Sequence, residues 1–185
     1  MERNWFGAKD RSSVEPALRL LEGAQGFRIN FFHYKIATRQ ELDFRLAEWC
    51  ESRFNNYPVL YFGFHGASGE IELNKSQTVD LEELAVAIGQ TCEGRIIYFG
   101  SCSTLNVKRK RLDKFLEDTK ALAVLGYKKE IDWLASTSLD LLVLGYLQRV
   151  SFTLHGMRKL DRILSDSAQT LRKKLGFQMY CRARR

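Results

Sequence analysis

Two residues of the 185-residue chain stand where their types and surroundings predict chemistry: His65 and Cys102. Each follows an apolar run of strand length, Val59 to Phe64 before the histidine and Arg95 to Phe99, then Gly100-Ser101, before the cysteine. A thiol and an imidazole across one cleft supply a sulfur nucleophile and a group that hands a proton to a departing amine, the requirements of amide hydrolysis. The developing oxyanion needs donors, and the backbone N–H groups of Gly66 and Cys102 are placed to provide them. A glycine directly after the histidine lets a substrate approach closely.

The elements that must position this pair are legible as alternating apolar runs and helical patterns, which predict βα units around a largely parallel sheet. Strands are expected around Asn4-Trp5-Phe6, from Arg28 to Ile36, from Val59 to Phe64, from Arg95 to Phe99 and from Ala121 to Leu125. Glu70 to Leu73 alternates polar and apolar residues as a short hairpin does, and the tail can add an edge strand. Helices are expected near Ser12 to Gly23, from the Thr38–Glu41 capping box toward Trp49, from Asp80 to about Cys92, and over Leu112 to Thr119, Leu134 to Arg149 and Asp161 to Leu175. Loops after the carboxyl ends of parallel strands gather on one edge, where ligands bind. His65, Cys102 and Asp132 fall in such loops, as do Asp10 and Arg11.

Phe64-His65-Gly66 with Gly69, followed by an apolar strand into Ser101-Cys102, resembles the caspase-type peptidases (clan CD), a group that includes metacaspases, legumains, gingipains, separases and prokaryotic CHAT domains. The segment Gly126 to Trp133, leading into a helix, is similar to the corresponding segment of CHAT domains. The resemblance spans roughly Arg28 to Leu147 and is greatest to small prokaryotic CHAT-like domains. It implies an α/β fold, a caspase-like three-layer α/β/α sandwich around a mostly parallel sheet. It also implies a cysteine endopeptidase with a His65–Cys102 dyad, oxyanion donors at Gly66 and Cys102, and a role in regulated proteolysis such as antiviral defence. Gly-Ser-Cys-Ser replaces the Gln-Ala-Cys signature of caspases themselves, so cleavage after aspartate is not implied. An acidic pocket built from Asp132 or Asp10 would favour Arg or Lys at the cleaved position, with Trp133 as a wall. The plain alternatives are Asp132 as a helix N-cap and Trp133 as an anchor for that helix. With Arg preferred, Lys108 to Arg111 becomes a candidate self-processing loop.

Length and a hydrophobic content of 45% fit one domain, residues 1–185, with its own core. No apolar run reaches the length of a membrane span and no signal peptide is recognisable, so a soluble, cytoplasmic protein without membrane association is expected. Cys50, Cys92, Cys102 and Cys181 form no CxxC pair, and no zinc site or other cofactor is expected. Expected partners are a protein or peptide substrate and a regulatory protein or small-molecule activator; an exposed apolar C-terminal helix would offer a homodimer surface. Nucleotide-loop, zinc-protease and GxSxG patterns are absent. The net charge of +7 leaves a competing class, a non-catalytic α/β module that binds a protein or nucleic acid through its basic face. Nucleic acid ranks below a peptide as partner.

Overall fold

A computed structural model describes residues 1–5, 11–24, 26 and 29–182. In chain order the elements are α1 (Glu15–Gly23), α2 (Arg39–Cys50), β1 (Val59–Phe62), β2 (His65–Ala67), β3 (Glu70–Asn74), β4 (Gln77–Asp80) and α3 (Leu81–Ile88). They continue with β5 (Ile96–Phe99), α4 (Arg109–Thr119), β6 (Ala123–Tyr127), α5 (Trp133–Leu147), α6 (Leu154–Leu175) and β7 (Phe177–Cys181). The main sheet has the order β1-β5-β6-β7, parallel except for β7. A separate antiparallel sheet, β2-β3-β4, follows the end of β1.

The central strands are apolar on both faces because helices cover both. In β5 all four residues are buried; Ile97 and Phe99 join one core, Ile96 and Tyr98 the other. The first core draws Leu42, Leu46 and Trp49 from α2, Leu84 from α3 and Leu112, Phe115 and Leu116 from α4. The second draws Leu21 from α1, Leu139 and Val143 from α5 and Met157, Leu160 and Leu164 from α6. The result is a three-layer α/β/α sandwich around a mostly parallel sheet.

Local signals account for most boundaries. Thr38 caps α2 by accepting from Glu41 N at 3.2 Å, and the Glu41 carboxylate reaches Ala37 N at 3.1 Å. Asp80 and Glu83 form a reciprocal capping box at α3. Gly89, at φ +63°, ends α3 before the expected Cys92.

The first two strands differ from expectation. Paired backbone lies at Met1 to Arg3 rather than around Trp5, with Glu2 bridging Lys35 and Gly63 in parallel; Phe6 lies outside the described residues. Of the expected strand Arg28 to Ile36, Arg28 lies outside the described residues, and the described part pairs only around Lys35, through Glu2 N to Tyr34 O at 2.9 Å and Ile36 N to Glu2 O at 2.7 Å. α6 starts at Leu154, so His155 is helical rather than irregular; Thr153 accepts from Gly156 N at 3.1 Å, and Gly156 packs against the Ser151 carbonyl, where a side chain would collide. The apolar stripe of α6 is buried in the second core, which leaves it no exposed apolar face of the kind a dimer surface would use. Among the described residues no helix is long and apolar enough to cross a membrane.

Candidate active site

β1 and β5 are parallel neighbours with Phe62 opposite Phe99. His65 and Cys102 lie equally far beyond that pair, so the sheet register delivers both to one edge. His65 does not lie in a loop after β1, as expected, but is the first residue of β2, where it faces Glu72 across the hairpin.

The segment after β5 leaves the sheet under tight constraint. Gly100 N still donates to Phe62 O at 2.9 Å, and any side chain at Gly100 would run into the Tyr61 ring. Ser103 takes a left-handed conformation at φ 54°. Its N–H donates to Lys129 O at 2.9 Å, and Leu105 N to Tyr127 O at 3.0 Å, which ties the loop to the β6–α5 connection. Ser101 Oγ and Thr104 Oγ1 close it from inside at 2.7 Å. Half-buried Cys102 therefore sits on a fixed turn, its Sγ 3.9 Å from Ile131 O and its N–H bonded to no acceptor among the described residues.

The turn holding His65 packs on that loop. A Cβ built on Gly66 would lie 2.7 Å from Cys102 O and 3.0 Å from Ser101 Cβ, closer than real contacts allow, so only glycine fits between the two turns. His65 Nε2 donates to Trp5 O at 3.0 Å. A carbonyl only accepts, so Nε2 carries the hydrogen in the neutral ring and Nδ1 is the basic nitrogen.

Trp5 is held in turn. Its ring meets the imidazole edge-on at 5.3 Å, and its Nε1 donates to the buried Glu2 carboxylate at 2.8 Å. Glu2 also accepts from Ser13 Oγ at 2.9 Å and meets His33 Nε2 at 2.6 Å. Burial alone would raise the Glu2 carboxyl, but the bonds from His33, Ser13 and Trp5 outweigh it and hold the group below its ordinary value.

Asp132 is the N-cap of α5, its Oδ1 accepting from Ala135 N at 2.8 Å, and it is exposed next to Ile131 beside the thiol. Trp133 follows at 38% exposure and Leu134 at 68%, an apolar step at the mouth of the site. Asp10 lies outside the described residues. Lys108 to Arg111 is no loop: Lys108 stands at the N-cap position of α4 without a side-chain capping bond, and the rest forms the first turn, with Arg109 paired to Asp113 and Arg111 to Glu82. Trp5 and Glu2 carried no sequence signal for a role at the site, because their partners are distant in the chain. Glu70 and Glu72, which line an open groove with Gly66, Ala67 and Thr78, could have been found from the alternation that places them on one hairpin face. Among the described residues no three His, Cys, Asp or Glu side chains gather as a metal site would require.

The profile of a family described as a family of unknown function (DUF6642) matches residues 6–181. The chain belongs to that family. No curated protein matches it. In this DUF6642 member a thiol on a rigid turn and an imidazole whose Nε2 carries the hydrogen meet where Gly66 packs against the Cys102 loop.

Proposed function

We propose that the protein is a cysteine endopeptidase of caspase-like, CHAT-like type that uses His65 and Cys102. The observation that carries the reading is the packing of the His65 turn on the Cys102 loop, where a Cβ on Gly66 would lie 2.7 Å from Cys102 O; the Nε2 to Trp5 O bond makes Nδ1 the basic nitrogen. Cys102 Sγ, as the thiolate, adds to the scissile carbonyl, and the N–H groups of Gly66 and Cys102 receive the oxyanion. The tetrahedral intermediate collapses with C–N cleavage, and the imidazolium of His65 gives its proton to the leaving amine. Water, deprotonated by His65, then hydrolyses the thioester and regenerates the thiol.

Substrate preference in this reading is for Arg or Lys at the cleaved position. Asp132 supports it from the mouth of the site, Glu70 and Glu72 from the hairpin groove, and Trp133 supplies an apolar wall. Glu72 is already engaged by Arg3 at 2.7 Å, which weights the preference toward Asp132. A regulatory protein or small-molecule activator would act on this cytoplasmic enzyme. The basic run does not favour the binding-module alternative, since Arg109 and Arg111 are ion-paired within the fold.

The test is covalent labelling of the full chain with peptidyl chloromethyl ketones ending in Arg, Lys or Asp. Peptide mass spectrometry should find the adduct on Cys102, strongest for Arg and lost in His65→Ala. Absence of the adduct, or an adduct indifferent to His65, overturns the dyad; an Asp preference overturns the proposed specificity alone.

A further inference from the structure

Two thiols outside the candidate active site stand at the amino end of the parallel strands. Cys50 is the last residue of α2, and Cys92 lies in the connection from α3 to β5, where its N–H donates to Thr119 O at 3.1 Å. The four residues of β5, about 13 Å of strand, separate this end from the Cys102 turn. Cys92 is fully buried and Cys50 half-buried, and the two thiols are hydrogen-bonded to each other. A thiol has one hydrogen to give. Cys50 gives its own to Ile88 O at 3.4 Å, the carbonyl that also accepts from Thr91 Oγ1 at 2.9 Å. The hydrogen between the two sulfurs therefore belongs to Cys92, and the Cys50 sulfur accepts it.

Arg95 ties the two cysteines together. Its backbone N–H donates to Cys92 O at 2.9 Å, and its guanidinium bonds the carbonyls on either side of Cys50, Trp49 O and, at 3.4 Å, Glu51 O. The remaining polar partner is Asn55 Oδ1 at 2.6 Å; although Arg95 is only 5% exposed, no carboxylate pairs with it among the described residues. A buried cation without a counter-ion favours an anion beside it. Free carbonyls at the end of α2 would oppose a thiolate there, and the guanidinium occupies them. The bond from Cys92, with those of Thr91 and the charge of Arg95, outweighs burial and holds the Cys50 thiol below its ordinary value; donation to Cys50 and burial push the Cys92 thiol up.

We propose that Cys50 and Cys92 form a peroxide-reactive dithiol, a modification site in which Cys50 is oxidised first and Cys92 closes a disulfide. The Cys50 thiolate attacks one oxygen of hydrogen peroxide. The S–O bond forms as the O–O bond breaks, and the departing hydroxide takes up the proton that Cys50 released. The Cys92 sulfur then attacks the sulfur of the Cys50 sulfenic acid; the S–S bond forms as the S–O bond breaks, and hydroxide leaves with the Cys92 proton as water. The sulfurs lose two electrons and the peroxide gains them, giving two waters. Closing the bond moves sulfurs already in contact, one at the end of a helix and the other in a connection. The pair is separate from Cys102, so its test stands whether or not the chain hydrolyses peptides.

The reduced full chain is exposed to a stoichiometric amount of hydrogen peroxide, remaining thiols are blocked with N-ethylmaleimide, and tryptic peptides are read by mass spectrometry. Cleavage after Arg45, Arg53, Lys75 and Arg95 puts each cysteine on its own peptide. A Cys50–Cys92 cross-linked peptide is expected from monomeric chain, released by dithiothreitol, in the wild type and in Cys102→Ala alike. Half-buried Cys181 is the reference within the sample, and Cys50 should be consumed about tenfold faster or more. In Cys92→Ala, dimedone should trap the Cys50 sulfenic acid; in Cys50→Ala, Cys92 should stay reduced at the same dose. Both variants are scored where the wild-type circular dichroism is kept, and the wild-type cross-link decides without them. No cross-link, a cross-link confined to dimers, or Cys50 consumed no faster than Cys181 overturns the site. Undiminished oxidation of Cys92 in Cys50→Ala, or no dimedone adduct in Cys92→Ala, overturns the order of attack.

Discussion

His65 Nε2 donates to the carbonyl oxygen of Trp5 at 3.0 Å, and the Trp5 indole donates to buried Glu2 at 2.8 Å. The imidazole is thus oriented by a residue from a distant part of the chain, which is itself held by a carboxylate. In the proposed mechanism, loss of His65 removes proton transfer, worth roughly 10²–10⁴ in rate. Glu2→Gln keeps the size of the side chain but weakens a charge-assisted bond to Trp5. His65→Ala should therefore cut labelling of Cys102 by an arginyl chloromethyl ketone by about 10² or more. Glu2→Gln should cause a smaller fall with unchanged far-UV circular dichroism. Equal labelling in Glu2→Gln and wild type would mean that Trp5 needs no support.

Gly66→Ala tests the contact between the two turns. Its Cβ would come within 2.7 Å of Cys102 O, with Ser101 and Thr104 also in the way, so one turn must move. Overpacking of this kind costs about 1–3 kcal/mol. The urea midpoint should drop accordingly, and Cys102 labelling should fall further than stability alone explains, because the displaced turn carries the proposed nucleophile. A midpoint within error of wild type would show that the turns yield freely.

The placement of His65 and Cys102 beyond adjacent parallel strands was legible because both follow buried apolar runs, and strands close in sequence tend to be neighbours in a sheet. The helix starts at Thr38 and Asp80 were legible for the same local reason, a cap with its acid partner three residues on. Trp5 and Glu2 were not, since their bonds to His65, Ser13 and His33 depend on where the first strand inserts. Residues 29–33 read as a strand by composition yet form no ladder among the described residues, and the start of α6 was hidden by Gly156, which serves a close approach rather than a break. Pattern predicts propensity; pairing is settled by the rest of the fold.

Asp132 serves α5 as N-cap, and its two roles can be separated by choice of substitution. Asn retains the capping oxygen and removes the charge, whereas Ala removes both. Asp132→Ala should destabilise by about 0.5–2 kcal/mol, and Asp132→Asn by much less. In the proposed specificity both should lose preference for Arg over a neutral residue in chloromethyl ketone labelling. A preference kept by Asp132→Asn would assign the residue to the helix alone.

Glu2 also makes the protein acid-sensitive. Its folded value is depressed below the ordinary 4.5, so the stability it contributes is present above that value and is lost as pH falls through the depressed one. Glu2→Gln lacks this titration. Chemical denaturation between pH 6 and pH 3 should show the wild type losing stability toward the acid end relative to Glu2→Gln. Parallel curves would mean the Glu2 carboxyl is not linked to folding.

Asp140 titrates in the opposite sense. It lies inside the second layer of the sandwich, where Tyr61 at 2.6 Å, Tyr127 at 2.5 Å and Tyr98 all donate to its carboxyl. Burial raises its value above the ordinary 3.8, and the three hydroxyl bonds only partly counter it. A raised folded value contributes stability below the unfolded value, and that contribution is lost as pH rises through the folded one. Asp140→Asn cannot ionise, so its stability should hold steady where the wild type declines on going upward from about pH 4, the ordinary aspartate range. The two curves should converge or cross with rising pH, read by urea midpoints at constant ionic strength. Tyr61, which donates to Asp140, also fills the space over Gly100, two residues before Cys102. A wild-type curve parallel to that of Asp140→Asn across the whole range would show that the tyrosine hydroxyls fully offset the burial of the carboxylate.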